Sequence, residues 1–235
     1  MSWGRIPLTN LISNAYHVGL DQITGPDWLG SEFYAIDVKL PPGFAMEQYP
    51  QMMANLLSER FGLAVHRVTK EVAGYEITLA SGGPKLTPSE PATAVDAPVP
   101  DGPRRGMPVP DANGFPILLP GSPFASRIDG DMERMAFKRS SMAFLADTLQ
   151  SVFSRSRSGQ TIPITDRTGI SGRFDFNLAI PAPPHRVSGG ASDPDVSPAS
   201  ISAAMEKQLG LKLKAVKTSL DFIVVDHVER VPTAN

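Results

Sequence analysis

The 235 residues include no cysteine, which removes disulfides, thiolate nucleophiles and zinc–thiolate sites from consideration. That absence does not choose a compartment. A basic surplus is missing too: 22 Lys and Arg against 24 Asp and Glu leave a net charge of −2. The chain therefore lacks the cationic excess that neutralises nucleic-acid phosphates, and no nucleic-acid partner is expected. No apolar run approaches the roughly 20 residues of a membrane-spanning helix, so no transmembrane segment is expected in this chain. Residues 1–9 hold one basic residue and no apolar stretch, and do not read as a signal peptide. Histidine is scarce, and His17, His66, His185 and His227 stand isolated from one another, without metal-ligand spacing. No metal and no cofactor is expected.

What is present is pattern. Hydrophobic residues make up 41% of the chain, enough for ordinary cores. Leu8, Leu11, Ile12, Ala15 and Tyr16 fall on one helical face, and that helix is expected to end near Gly19. Tyr34, Ile36, Val38 and Leu40 alternate with Ala35, Asp37 and Lys39, the period of a strand with one buried face. A second helix carries Met52 and Met53, read as core filler, and ends at Phe61-Gly62, where glycine fits the left-handed position after a helix. Two strands follow, expected to be joined by a turn around Ala73-Gly74. The second half repeats the order. Met132 to Lys138 reads as a strand. Ser140 or Ser141 caps a helix with Met142, Leu145, Ala146, Leu149 and Phe153 on one face. Phe174, Phe176, Leu178 and Ile180 form an alternating strand ended by Pro181. Ser197-Pro198 then opens a helix that bears Met205 and runs into Gly210-Leu211, followed by a strand, a turn and a last strand at 222–225.

The expected fold class is α+β: two related helix-strand-helix-strand-strand units, an internal duplication, with small mixed sheets and helices packed on one face. The first unit spans 1–81 with its leading strand missing, which suggests a reading frame that starts further upstream. Residues 82–130 form a Pro/Gly-rich linker whose composition does not support a core of its own. The second unit spans 131–235, with an internal Pro/Gly/Ser loop at 181–196.

No catalytic constellation emerges, and the chain is not expected to be an enzyme. Gly169-Ile170-Ser171-Gly172 superficially resembles a nucleophile elbow, but it precedes a strand where the elbow needs a strand-to-helix turn. A tight turn is the expectation. Ser81-Gly82-Gly83-Pro84-Lys85 is not followed by the helix that a phosphate loop requires, and reads as a strand exit. Arg139, Arg155 and Arg157 read as a solvated basic face. His66 is expected on the solvent face of its strand, and His227 as a strand-end cap or surface pair. Trp28, in the turn Gly25-Pro26-Asp27-Trp28-Leu29-Gly30, is expected to pack over a small core or to stack on a ligand. Trp28, His66 and Arg67 are the candidates for ligand contact.

Several motifs in order carry a family resemblance: Gln22-Ile23-Thr24-Gly25-Pro26-Asp27-Trp28-Leu29, Leu56-Leu57-Ser58-Glu59-Arg60-Phe61-Gly62-Leu63-Ala64-Val65-His66-Arg67, Gly82-Gly83-Pro84-Lys85-Leu86 and Gly114-Phe115-Pro116. They continue through Ser141-Met142-Ala143-Phe144-Leu145-Ala146, Asp166-Arg167-Thr168-Gly169-Ile170-Ser171-Gly172-Arg173-Phe174-Asp175-Phe176 and Asp226-His227-Val228-Glu229. Together they resemble the soil-associated protein family of Acidobacteria and related bacteria, the DUF3738 family. The resemblance implies a domain of unknown function, often exported and sometimes joined to a BlaR1-like membrane metallopeptidase, and it brings no catalytic residues to carry over. Members begin with a signal segment and a Phe-x-Val-Ala-Ser-x-Lys-Pro strand motif that this chain lacks, again the expectation of a truncated start. The resemblance implies an exported or periplasmic protein. The expected function is a non-catalytic binding or protein-interaction module of the cell envelope, with an envelope or membrane protein as partner. The alternative is a sensory or regulatory domain acting with a BlaR1-like membrane metallopeptidase. The helix-strand unit is also similar in architecture to the short N-terminal domains of secretins and TonB-dependent transducers, a likeness that warrants little about function.

Overall fold

The computed structural model describes residues 2–38, 44–90, 108–156, 160–182 and 197–233. In chain order the elements are β1 (Ser2–Pro7), α1 (Leu8–Tyr16), β2 (Ile23–Thr24), β3 (Phe33–Asp37), α2 (Tyr49–Phe61), β4 (Ala64–Leu79) and β5 (Thr87–Pro88). They continue with β6 (Phe124–Asp129), β7 (Met132–Ser140), α3 (Met142–Ser156), β8 (Ile164–Asp166), β9 (Phe174–Pro181), α4 (Pro198–Leu209) and β10 (Leu211–His227). The fold class is α+β, with small mixed sheets. Two compact units are present: Met1–Val72 with Ser158–Thr161 and Thr218–Asn235, and Ala73–Arg157 with Ile162–Lys217.

In the first unit α1 buries Leu8, Leu11, Ile12 and Ala15, as its spacing dictates. It stops at Tyr16, because His17 takes the left-handed conformation with φ 53°, earlier than the expected stop near Gly19. A strand does precede it, contrary to the expected missing element. β1 pairs antiparallel with β3, with an irregularity between Trp3 and Ile6. Ser-Trp-Gly-Arg-Ile-Pro has no alternation to announce a strand, so the pairing defines it. Helix α2 buries Met53, Leu57 and Phe61, a single i, i+4, i+8 row. Burial of three such side chains stabilises by about 1.5–3 kcal/mol each. Met52 lies outside that row, half-buried on a surface groove and not in the core. Gly62 ends the helix with φ 57°.

In the second unit β5, β9, β7 and β6 form an antiparallel sheet in that order. Phe174, Phe176, Leu178 and Ile180 of β9 are all buried, with Met135 and Phe137 of β7 beside them. Against them pack Met142, Leu145, Leu149, Val152 and Phe153 of α3 and Ile201, Met205 and Leu209 of α4, in one cluster. Ser141 is the cap of α3, its Oγ accepting from the Phe144 amide at 3.2 Å. Ser197 does the same for α4 through the Ser200 amide at 3.1 Å. The stretch expected to be a linker holds regular structure in β5 and β6; its residues 91–107 lie outside the described ones, as do 183–196 of the second expected loop.

Neither expected hairpin turn forms. β4 runs unbroken through Ala73-Gly74, and β10 is one strand of 17 residues. The reason is pairing. β4 and β10 are neighbours in a sheet ordered β2-β10-β4-β8, with β2 parallel to β10 and β8 parallel to β4. With β10 at its flank, residues 73–74 gain more by staying extended than by reversing the chain. The unit boundary falls inside both strands: the first unit takes 64–72 and 218–227, the second 73–79 and 211–217.

Candidate functional site

Strand alternation separates His66 from Arg67, because successive side chains point to opposite faces. Arg67 lies on the face of Leu63 and Val65, towards α1 and α2. Its guanidinium donates to the Tyr16 carbonyl at 3.2 Å, stands 6.0 Å from the Tyr16 ring centroid and is 3.6 Å from the Asp221 carboxylate. There it borders an open groove of about 730 Å³, whose polar lining includes His17, Gln51, Asn55 and Ser58. His66 points the other way, its Nδ1 2.8 Å from Asp226 Oδ1, with both side chains about half exposed. His227 pairs similarly with Glu229 at 3.1 Å on the surface.

Trp28 sits in a short 3-10 turn, Asp27–Gly30, and packs partly against the core of its unit. Arg230 lies 5.9 Å from its ring centroid. The same guanidinium is hydrogen-bonded to Glu32, and the Tyr34 hydroxyl donates to the Arg230 carbonyl at 2.9 Å while lying 3.2 Å from Glu32 Oε2. Arg230 holds the Glu32 carboxyl below its ordinary value of 4.5. Burial, reinforced by the Glu32 hydrogen bond, pushes the Tyr34 phenol above its ordinary 10.0. This knot fastens the C-terminal tail to β3, and two backbone bonds hold it to the end of α2, whose last carbonyls need partners. The Glu229 amide donates to Phe61 at 2.7 Å and the Thr233 amide to Arg60 at 2.8 Å.

The tail so held forms one wall of a second groove, about 450 Å³, running along β3. Its lining comprises five consecutive residues, 34–38, with Leu56, Arg60 and Phe61 of α2 and Pro232 and Thr233 of the tail. Trp28, His66 and Arg67 are thus at three different places. Sequence reading missed Glu32, Tyr34 and Arg230, because Arg230 stands almost 200 positions from the other two and no local motif joins them.

The polar groups of the second unit have structural work. Glu133 is 2% exposed and lies 2.9 and 3.1 Å from one nitrogen of Arg155, so Arg155 is not a member of a free basic face but the counter-charge of a buried carboxylate; Arg157 lies outside the described residues. Asp175 Oδ1 accepts from the Arg139 amide at 2.8 Å and from the Ser89 hydroxyl. Gly169 and Gly172, at φ 70° and 115°, lie in a bent loop entered through Asp166, which accepts from the Thr168 amide at 2.9 Å and hydroxyl at 2.7 Å. The Thr168 hydroxyl in turn accepts from the Ile170 amide at 3.1 Å. Residues 81–85 leave β4 in a turn, as expected of a strand exit. Among the described residues no three His, Asp or Glu side chains gather as a metal site, and no helix is long and apolar enough to cross a membrane.

Residues 9–228 match the family described as protein of unknown function, DUF3738, and the chain belongs to that family. No curated protein and no solved structure matches it significantly.

Proposed function

We propose that the chain is a non-catalytic binding module of the cell envelope, with a protein partner. One observation carries the reading. Helix α2 is flanked by open grooves whose linings spread polar and apolar groups along the surface rather than gather them at one point: Gln51, Asn55, Ser58 and Arg67 on one side, and the β3 backbone with Leu56 and Phe61 on the other. Dispersed donors and acceptors over a shallow surface suit recognition, in which affinity is summed over many contacts, whereas catalysis needs convergence on a reacting atom. The envelope placement rests on the family resemblance.

The test is crosslinking and affinity purification of the tagged protein from envelope fractions of its host, with Arg67→Glu in parallel. One protein recovered at near-stoichiometric yield, and depleted with the variant, supports the reading. Hydrolytic turnover abolished by substitution of a single His or Asp overturns it.

A further inference from the structure

The two units present the same pairing: β1 with β3 antiparallel, and β7 with β9 antiparallel. The flanking helices correspond as well, since α2 buries Met53, Leu57 and Phe61 before Gly62 and α4 buries Ile201, Met205 and Leu209 before Gly210. The outer edges of β9 and β3 differ. On β9 the edge is filled. Thr87 and Pro88 pair antiparallel with Asp175 and Phe174, and the Ser89 amide donates to the Arg173 carbonyl at 2.9 Å. Further along, the Gln208 side chain closes the edge by donating to the Ala179 carbonyl at 2.8 Å and accepting its amide at 2.9 Å.

On β3 the edge is open. Among the described residues β1 is its sole neighbour in the sheet, and apart from that pairing the backbone of residues 33–37 makes no hydrogen bond there. None of Gly4, Arg5, Ile6 and Pro7 of β1 lines the groove, which places it on the far edge. Aligning Tyr34 with Phe174 makes Phe33, Ala35 and Asp37 the counterparts of the outward-facing Arg173, Asp175 and Asn177.

We propose that the edge of β3 binds an extended segment of a partner protein as an added antiparallel strand. The segment resembles the one that fills β9: an apolar residue, as Leu86 packs on the core there, followed by β-branched, proline or small residues. The apolar side chain has Leu56 and Phe61 to rest on, and the backbone takes the open donors and acceptors of β3. This deepens the reading of the chain as a binding module and rests on it.

The experiment uses the full chain and a capped synthetic peptide with the sequence of residues 85–90, followed by hydrogen exchange. So short a peptide forms a weak complex, and it is therefore used in the millimolar range. The expected result is exchange slowed at least about threefold in residues 33–37, through capture of exposed edge amides. Ala35→Pro removes one outward donor at an edge position where proline is tolerated, and abolishes the slowing. Ala35→Lys, which places a charge on the edge and leaves the backbone intact, weakens it. Slowing absent at 33–37, slowing unaffected by both variants, edge amides already protected without peptide, or protection that appears on self-association alone each overturns the proposal. Should that occur while the envelope partner is still recovered, the binding reading stands and the strand-edge site falls.

Discussion

Two glycines that end helices show how much a single Cβ decides. Gly62 and Gly210 both sit in the left-handed region, at φ 57° and 66°. A Cβ on Gly62 would meet the Glu229 and His227 side chains at 3.6 and 3.7 Å, ordinary contact, whereas on Gly210 it would run into the Gly83 carbonyl. Gly62→Ala is therefore expected to cost only the left-handed penalty, about 1–2 kcal/mol, and Gly210→Ala clearly more; denaturant midpoints of the two variants check this. Arg155 offers a second contrast. Its loss in Arg155→Met strands the buried Glu133 carboxylate, at a cost of about 2 kcal/mol after allowance for the half-exposed arginine, and adding Glu133→Gln is expected to restore much of it in a double-mutant cycle. The Glu32, Tyr34 and Arg230 knot gives a pH dependence. Glu32, held below 4.5, adds stability that is complete above that value and is lost as pH falls through the lowered one. Tyr34, raised above 10.0, adds stability that is complete below that value and lost as pH rises through the raised one. Stability measured against pH is expected to show a shallower acid limb in Glu32→Gln and a shallower alkaline limb in Tyr34→Phe.

Among the elements, helices and the best-patterned strands were legible because their signal is local. The stripes of α1, α3 and α4 and the alternation of β9 are written in consecutive turns and pleats, and so are the caps at Ser141, Ser197 and Gly62. What was hidden depends on partners distant in sequence. β1 has no alternation and exists through β3; β6, Phe-Ala-Ser-Arg-Ile-Asp, does not alternate either, lies amid a Pro/Gly composition that argued for a linker, and exists through its pairing with β7. The turns expected at 73–74 and before residue 222 were reasonable from glycine and from polar residues, yet β4 and β10 stay extended because each pairs with the other. Ala73→Pro discriminates between the two pictures. In a turn it would be tolerated; inside the extended β4, where proline is disfavoured, it is expected to lower the denaturant midpoint clearly, measured by chemical denaturation. At the site, Arg67 and Trp28 were legible as candidates, while their surroundings were not, since Tyr16, Asp221 and Arg230 reach them from remote segments.

For the whole molecule, the consequence is that neither unit is one stretch of chain. The first takes Ile223 and Val225 into its core from the last strand, so a fragment of residues 1–81 lacks part of its own core and is expected to be largely unfolded by circular dichroism. The many pairings across more than 150 positions, such as His66 with Asp226 and Thr69 with Asp221, also imply slow folding for the length of the chain. The first unit presents the open grooves along α2, while in the second Glu133 and Arg155 form a buried ion pair and Asp166 holds the chain before Gly169. The most direct measurement is hydrogen exchange of the full chain with and without the purified envelope partner. The account predicts slowed exchange along β3 and α2; protection confined to the second unit, or none at stoichiometric binding, would contradict it.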